Sequence, residues 1–97
     1  MIVKVHSTPN GKLLAICDSD VLGKRFEEGN RQLNLSSRFY QGEEMEEEAV
    51  AKLLKAGYVV NAVGKRSVAL LIRLKLVDKK NVVEVAGVPH AQCVIES

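Results

Sequence analysis

The stretch Tyr58–Leu76, YVVNAVGKRSVALLIRLKL, constrains the fold of this chain more than any other. A β-branched run ends at Asn61, a short turn carries Gly64, and a largely apolar helix follows over Lys65–Leu76. Val68, Leu71, Ile72 and Lys75 fall on one side of that helix. Ala69, Leu70 and Leu74 carry the apolar surface almost round it, so it must be packed on more than one side. Its first turn holds two cations, Lys65 and Arg66. The helix dipole disfavours positive charge there, and the placement asks for a reason.

The rest of the chain supplies a sheet for that helix. Ile2–Ser7 reads as a strand, with Val3 and Val5 alternating against Lys4 and His6, which places His6 on a solvated face. Thr8-Pro9-Asn10-Gly11 is a turn, because Asn-Gly adopts the positive φ angles of a tight hairpin. Lys12–Cys17 returns as a more buried strand. Asp18 can cap a single helical turn that Gly23 ends. Lys24–Glu28 and Gln32–Leu35 read as two short strands around Gly29-Asn30, and Ser36–Gly42 as a loop that Phe39 and Tyr40 pin to the core.

The run from Glu43 to Glu48 holds five carboxylates, which suit the positive end of a helix. That helix continues on the stripe Met45, Ala49 and Leu53, widened by Val50 and Leu54, and Gly57 is its natural stop. Tyr58–Val60 is a strand, Asp78–Asn81 a polar turn, and Asn81–Ala86 and Ala91–Ile95 are final strands around an exposed Gly87-Val88-Pro89-His90 loop. The expected fold is therefore α+β, a two-layer sandwich with two main helices on one face of a mostly antiparallel sheet. Residues 1–97 are expected to form one domain, whose single core leaves little room for a deep pocket.

No apolar run approaches the ~20 residues that cross a bilayer, and no signal-peptide segment opens the chain. Cys17 and Cys93 match no zinc spacing and sit in apolar runs, as buried reduced thiols would. These features imply a cytoplasmic protein with no membrane partner, no metal and no cofactor.

The formal net charge is only +2, but residues 1–48 hold six Lys/Arg and nine Asp/Glu, whereas residues 49–97 hold eight and three. Between Lys52 and Lys80 the single anion is Asp78. A basic second half suggests an anionic partner.

Four ordered blocks, CDSDVLGKRFEEG (17–29), LNLSSRFYQGE (33–43), VNAVGKRSV (60–68) and GVPHAQ (87–92), resemble an archaeal family of small stand-alone proteins, domain-of-unknown-function family 424. The resemblance covers essentially the whole chain. It implies an archaeal cytosolic protein with a two-layer α+β fold, supplies no reaction, and suggests a role in translation. Members of that family tend to carry an acidic residue after the glycine of the NxxG block, where this chain has Lys65.

Chemistry has few places to sit. His90 and Cys93 point to opposite faces of an extended segment, which disfavours a Cys–His dyad. Asp18 reaches His90 only if strand two and the last strand are neighbours. Phosphate binding has a better basis, because Gly64 lets backbone amides approach a ligand and the helix start offers free N–H groups. Lys65, Arg66 and Ser67 add two charges and a hydroxyl, although no P-loop or GxGxxG pattern is present.

The expected anion or RNA site is thus Asn61, Gly64, Lys65, Arg66, Ser67 and His90, with Asp18, Lys79 and Lys80 as accessory residues. Three functions fit. The first is a non-enzymatic module that contacts structured RNA or a ribosome through phosphates, since aromatics are only 4% of residues and a stacking platform is poorly supplied. The second is a small enzyme or sensor of a phosphate-bearing small molecule around Asp18, Asn61, Lys65 and His90. The third is a protein–protein adaptor.

Overall fold

The computed structural model describes residues 1–56 and 58–95. Its strands are β1 (Ile2–Thr8), β2 (Gly11–Cys17), β3 (Arg25–Glu28), β4 (Arg31–Asn34), β5 (Glu43–Glu44), β6 (Val59–Val63), β7 (Val83–Val85) and β8 (Val88–Val94). The helices are α1 (Glu47–Leu54) and α2 (Lys65–Arg73). Six strands form one sheet in the order β5-β1-β2-β6-β8-β7, and β3 pairs with β4 in a separate hairpin. Every pairing in the sheet is antiparallel except β2 with β6, which run parallel from Leu13↔Val59 to Cys17↔Val63.

Both helices lie on one face of the sheet. Val50 and Leu54 from α1 and Val68, Leu70 and Leu71 from α2 share a core with Leu14, Ile16, Val60, Ala62 and Ala91. The opposite face is covered by the β3–β4 hairpin and the 3-10 turn Arg38–Tyr40, whose Leu33 and Tyr40 pack with Ala15, Cys17, Val63 and Val85. Strand β2 is thus buried on both faces, which explains why LLAIC is continuously apolar rather than alternating.

Several local expectations change. Glu43 and Glu44 leave the expected helix start and pair as β5 with Val3 and Ile2, so α1 begins only at Glu47. Helix α2 ends at Arg73 rather than Leu76, because Lys75 turns left-handed at φ +62°. The Lys75 N–H then donates to the Ile72 carbonyl at 3.0 Å and the Leu76 N–H to the Leu71 carbonyl at 2.9 Å, a Schellman cap. Leu76 thereby folds back against the main core.

The final hairpin turns at Ala86-Gly87, both at positive φ, which places Val88, Pro89 and His90 inside β8 rather than in a loop. His6 is not solvated: its ring stacks on Phe39 at 4.7 Å between centroids, and Nε2 meets the Phe39 carbonyl oxygen at 2.8 Å. Gly57, the expected stop of the first helix, lies outside the described residues. No helix among the described residues is long and apolar enough to cross a membrane.

Candidate functional site: a cationic groove at the ends of the parallel strands

The parallel pair decides where a site lies. The register Cys17↔Val63 brings the carboxyl ends of β2 and β6 together, and the Asp18 N–H extends the ladder to the Val63 carbonyl at 3.0 Å. Asp18 therefore stands beside Gly64, where α2 starts. Open α/β sheets bind ligands at this kind of place, outside the carboxyl ends of parallel strands.

Asp18 is spent on the fold there. Its Oδ2 accepts the Arg66 N–H at 2.9 Å, and its Oδ1 accepts the Ser67 N–H and the Ser67 hydroxyl, both at 2.8 Å. Asp18 and Ser67 are both buried. A carboxylate from a distant strand thus caps α2, in place of the local helical turn expected after Asp18. The two cations of the first turn now have their reason. The cap brings a negative charge to the positive end of the helix, which offsets the like-charge cost of Lys65 and Arg66.

The cap also changes the expected anion cradle. The amides of Arg66 and Ser67 are occupied by Asp18, and among the described residues only the Lys65 N–H of these three has no partner. Gly64 is required for a different reason from ligand approach. Its φ is +111°, and a Cβ there would lie 2.4 Å from Asp18 Cγ. The Gly64 N–H donates to the Pro89 carbonyl at 2.9 Å, which ties the turn to β8.

Next to this cap is a groove of about 620 Å³. Lys65 and Arg66 from α2, Lys24 and Phe26 from the β3 approach, Asp20 from the preceding turn, and Val88 from the last hairpin line it. Lys24, Lys65 and Arg66 form no ion pair among the described residues. At the border Glu44 accepts from the Ser19 hydroxyl at 2.6 and 2.7 Å, and that bond, with the nearby amino group of Met1, holds its carboxyl below the usual range.

Asn61 and His90 belong to another cluster. The Asn61 Oδ1 accepts from the Tyr40 hydroxyl at 3.0 Å and from His90 Nε2 at 3.1 Å. This geometry places a proton on His90 Nε2. Burial lowers the His90 pKa and pushes Tyr40 up to about 12. Neither Asn61 nor His90 lines the groove, and β6 separates β2 from β8, so Asp18 meets α2 rather than His90.

Lys79 and Lys80 lie in a 3-10 turn beyond the far end of α2, where Lys80 Nζ is 3.9 Å from Asp78. Cys17 is fully buried and its thiol is pushed up to about 11, first by burial and then by Asp18, whereas Cys93 is half-buried in the helix-side core. Among the described residues no three His, Cys, Asp or Glu side chains gather to hold a metal ion.

Of the residues singled out from sequence, the groove brings together Gly64, Lys65, Arg66 and Asp18, with Ser67 behind the cap. It adds Asp20, Lys24, Phe26 and Val88, which carried no signal of their own in the sequence. Lys24 and Phe26 read only as the start of a strand.

The half-buried His90 makes stability depend on pH. The unfolded chain takes up the proton near the ordinary value of 6.5, and the folded chain only below it. Between the two the unfolded state binds more protons. Stability should hold above pH 6.5 and fall as the pH drops from there toward the folded-state value. Urea midpoints on either side of that pH should show the fall in the wild type and lose it in His90→Gln.

This fold and groove define a small α+β domain with a cationic cleft at the ends of its parallel strands. The chain belongs to the family described as "Protein of unknown function (DUF424)", whose model matches residues 5–95. It is similar to the crystal structure of an uncharacterized conserved protein from Methanopyrus kandleri, with a TM-score of 0.83 and 29% identity over 97% of this chain and 90% of that one. No curated protein matches the chain.

Proposed function

We propose that this protein is a non-enzymatic binding module of the cytoplasm that contacts RNA, free or in a ribonucleoprotein, through phosphate groups. One observation carries the reading: Lys24, Lys65 and Arg66 line a single groove, and none of them is engaged in an ion pair among the described residues. Two cations from the start of α2 and one from the approach to β3, none of them in an ion pair among the described residues, suit the phosphates of a nucleic-acid backbone.

The arrangement lends less support to an enzyme or small-anion sensor built on Asp18, Asn61, Lys65 and His90. Asp18 is consumed as a helix cap, and Asn61 Oδ1 is occupied by His90 Nε2 and the Tyr40 hydroxyl.

Filter binding to bulk ribosomal RNA tests the proposal. Association should weaken steeply with salt, and Lys65→Ala with Arg66→Ala should flatten the dependence by about two phosphate contacts on a log–log plot. Lack of any salt-dependent association at low ionic strength would sink it.

A further inference from the structure

We propose that the groove is a subsite for one unstacked nucleotide, whose base lies along Phe26 and Val88 and whose phosphate meets Lys24, Lys65 and Arg66. The inference rests on the phosphate-contact reading above and goes beyond it by naming the unit that is bound. The groove differs from a flat basic patch in three ways, and each narrows the ligand.

Its shape comes first. At about 620 Å³ it falls within the range of small-molecule clefts, roughly 300–1,000 Å³. A duplex offers a convex ribbon of phosphates with its bases stacked inside, and such a ribbon has nothing to insert into a cleft. A splayed-out base has.

Its walls come second. Phe26 is half-buried in β3, and its side chain both packs on the core beneath the β3–β4 hairpin and lines the groove. A ring held by the core is a prepared surface for a base, because every base has a π-face that stacks with little sequence preference. One such ring is too little for a platform that reads a run of bases, and enough for one.

Its charges come third. Asp20 lines the groove beside the cations, at an exposed position with no ion-pair partner among the described residues. A carboxylate repels a bare phosphate, but it accepts hydrogen bonds from a ribose hydroxyl or a base amine. A ligand that carries phosphate and donors together meets both signs of charge. A nucleotide is such a ligand, and inorganic phosphate is not.

The test uses 5′-UMP, 5′-AMP, ribose 5-phosphate and inorganic phosphate in amide-resolved NMR titrations of the whole chain. A single-stranded oligoribonucleotide and an RNA duplex are then titrated by fluorescence anisotropy. The nucleotides should shift the amides of Asp20, Lys24, Phe26, Lys65 and Arg66 and bind about tenfold or more tighter than ribose 5-phosphate. Phe26→Leu should weaken single-strand binding about tenfold with the salt slope unchanged, and leave duplex binding as it was.

The mononucleotide titration needs no variant and decides the matter even if Phe26→Leu folds poorly. Equal affinity for nucleotide and ribose 5-phosphate would overturn the nucleotide subsite. In that case, salt-dependent RNA binding that falls in Lys65→Ala and Arg66→Ala would leave the phosphate-contact reading standing. Absence of binding by the nucleotides and by both RNAs at low salt would remove both.

Discussion

Gly64→Ala should cost this protein about 3–5 kcal/mol, a large part of the 5–15 kcal/mol that holds a typical domain together. Two effects add at this position. The backbone sits at φ +111°, a conformation that L side chains rarely adopt. The new methyl would also lie 2.4 Å from Asp18 Cγ and 2.7 Å from both carboxylate oxygens. Asp18 cannot retreat without giving up the amides of Arg66 and Ser67. Urea unfolding should show the loss, and the thermal midpoint should drop by about 15 °C or more. Gly29→Ala is the control, since Gly29 lies at φ +59° with nothing within 4 Å of the added Cβ. It should cost only about 1 kcal/mol.

Asp18→Ala should cost about 3 kcal/mol by the same measurement, well above an ordinary surface cap. The substitution removes three hydrogen bonds at once and leaves the fully buried Ser67 hydroxyl and the Ser67 amide without their acceptor. It also exposes the Lys65 and Arg66 charges to the uncompensated positive end of α2. Asp18→Asn should be milder, at about 1–2 kcal/mol, because one side-chain oxygen still accepts. The two sites should couple strongly. In an Asp18→Ala background the atoms that block a Cβ at residue 64 are gone, so Gly64→Ala should cost only its backbone strain there. A double-mutant cycle that came out additive would show that the cap and the turn do not act as one unit.

Much of the frame is legible in the residues themselves. Thr8-Pro9-Asn10-Gly11 marks the first hairpin, although Pro9-Asn10 forms its loop and only Gly11 takes a positive φ. LLAIC marks a strand buried on both faces. VALLI marks a helix, but α2 buries one face and leaves Ala69 exposed rather than being packed on more than one side. Several of the errors depend on contacts beyond the reach of local pattern. Glu43 and Glu44 have the composition of a helix start, yet the open edge of β1 takes them as a strand. His6 has the alternation of a solvated residue, yet Phe39 arrives from residues far along the chain and covers it. Lys75 shows no glycine to stop a helix, and the pull of Leu76 toward the core stops it instead.

The candidate site divides in the same way. The stretch Tyr58–Leu76 determined by itself a strand, a turn that needs glycine, a buried helix, and two cations at that helix's start. Local propensity and periodicity act over a few residues, and these features lie within their reach. Only the tertiary structure decided what accommodates the cations there. The parallel register of β2 and β6 carries Asp18 to the end of α2, where it takes the amides that a phosphate would have used and steadies Lys65 and Arg66. The same register sends Asn61 and His90 to a separate polar cluster and gathers Asp20, Lys24 and Phe26 around the groove. Strand pairing joins residues nearly fifty positions apart, and no short-range pattern in a single chain encodes which strand will lie beside which.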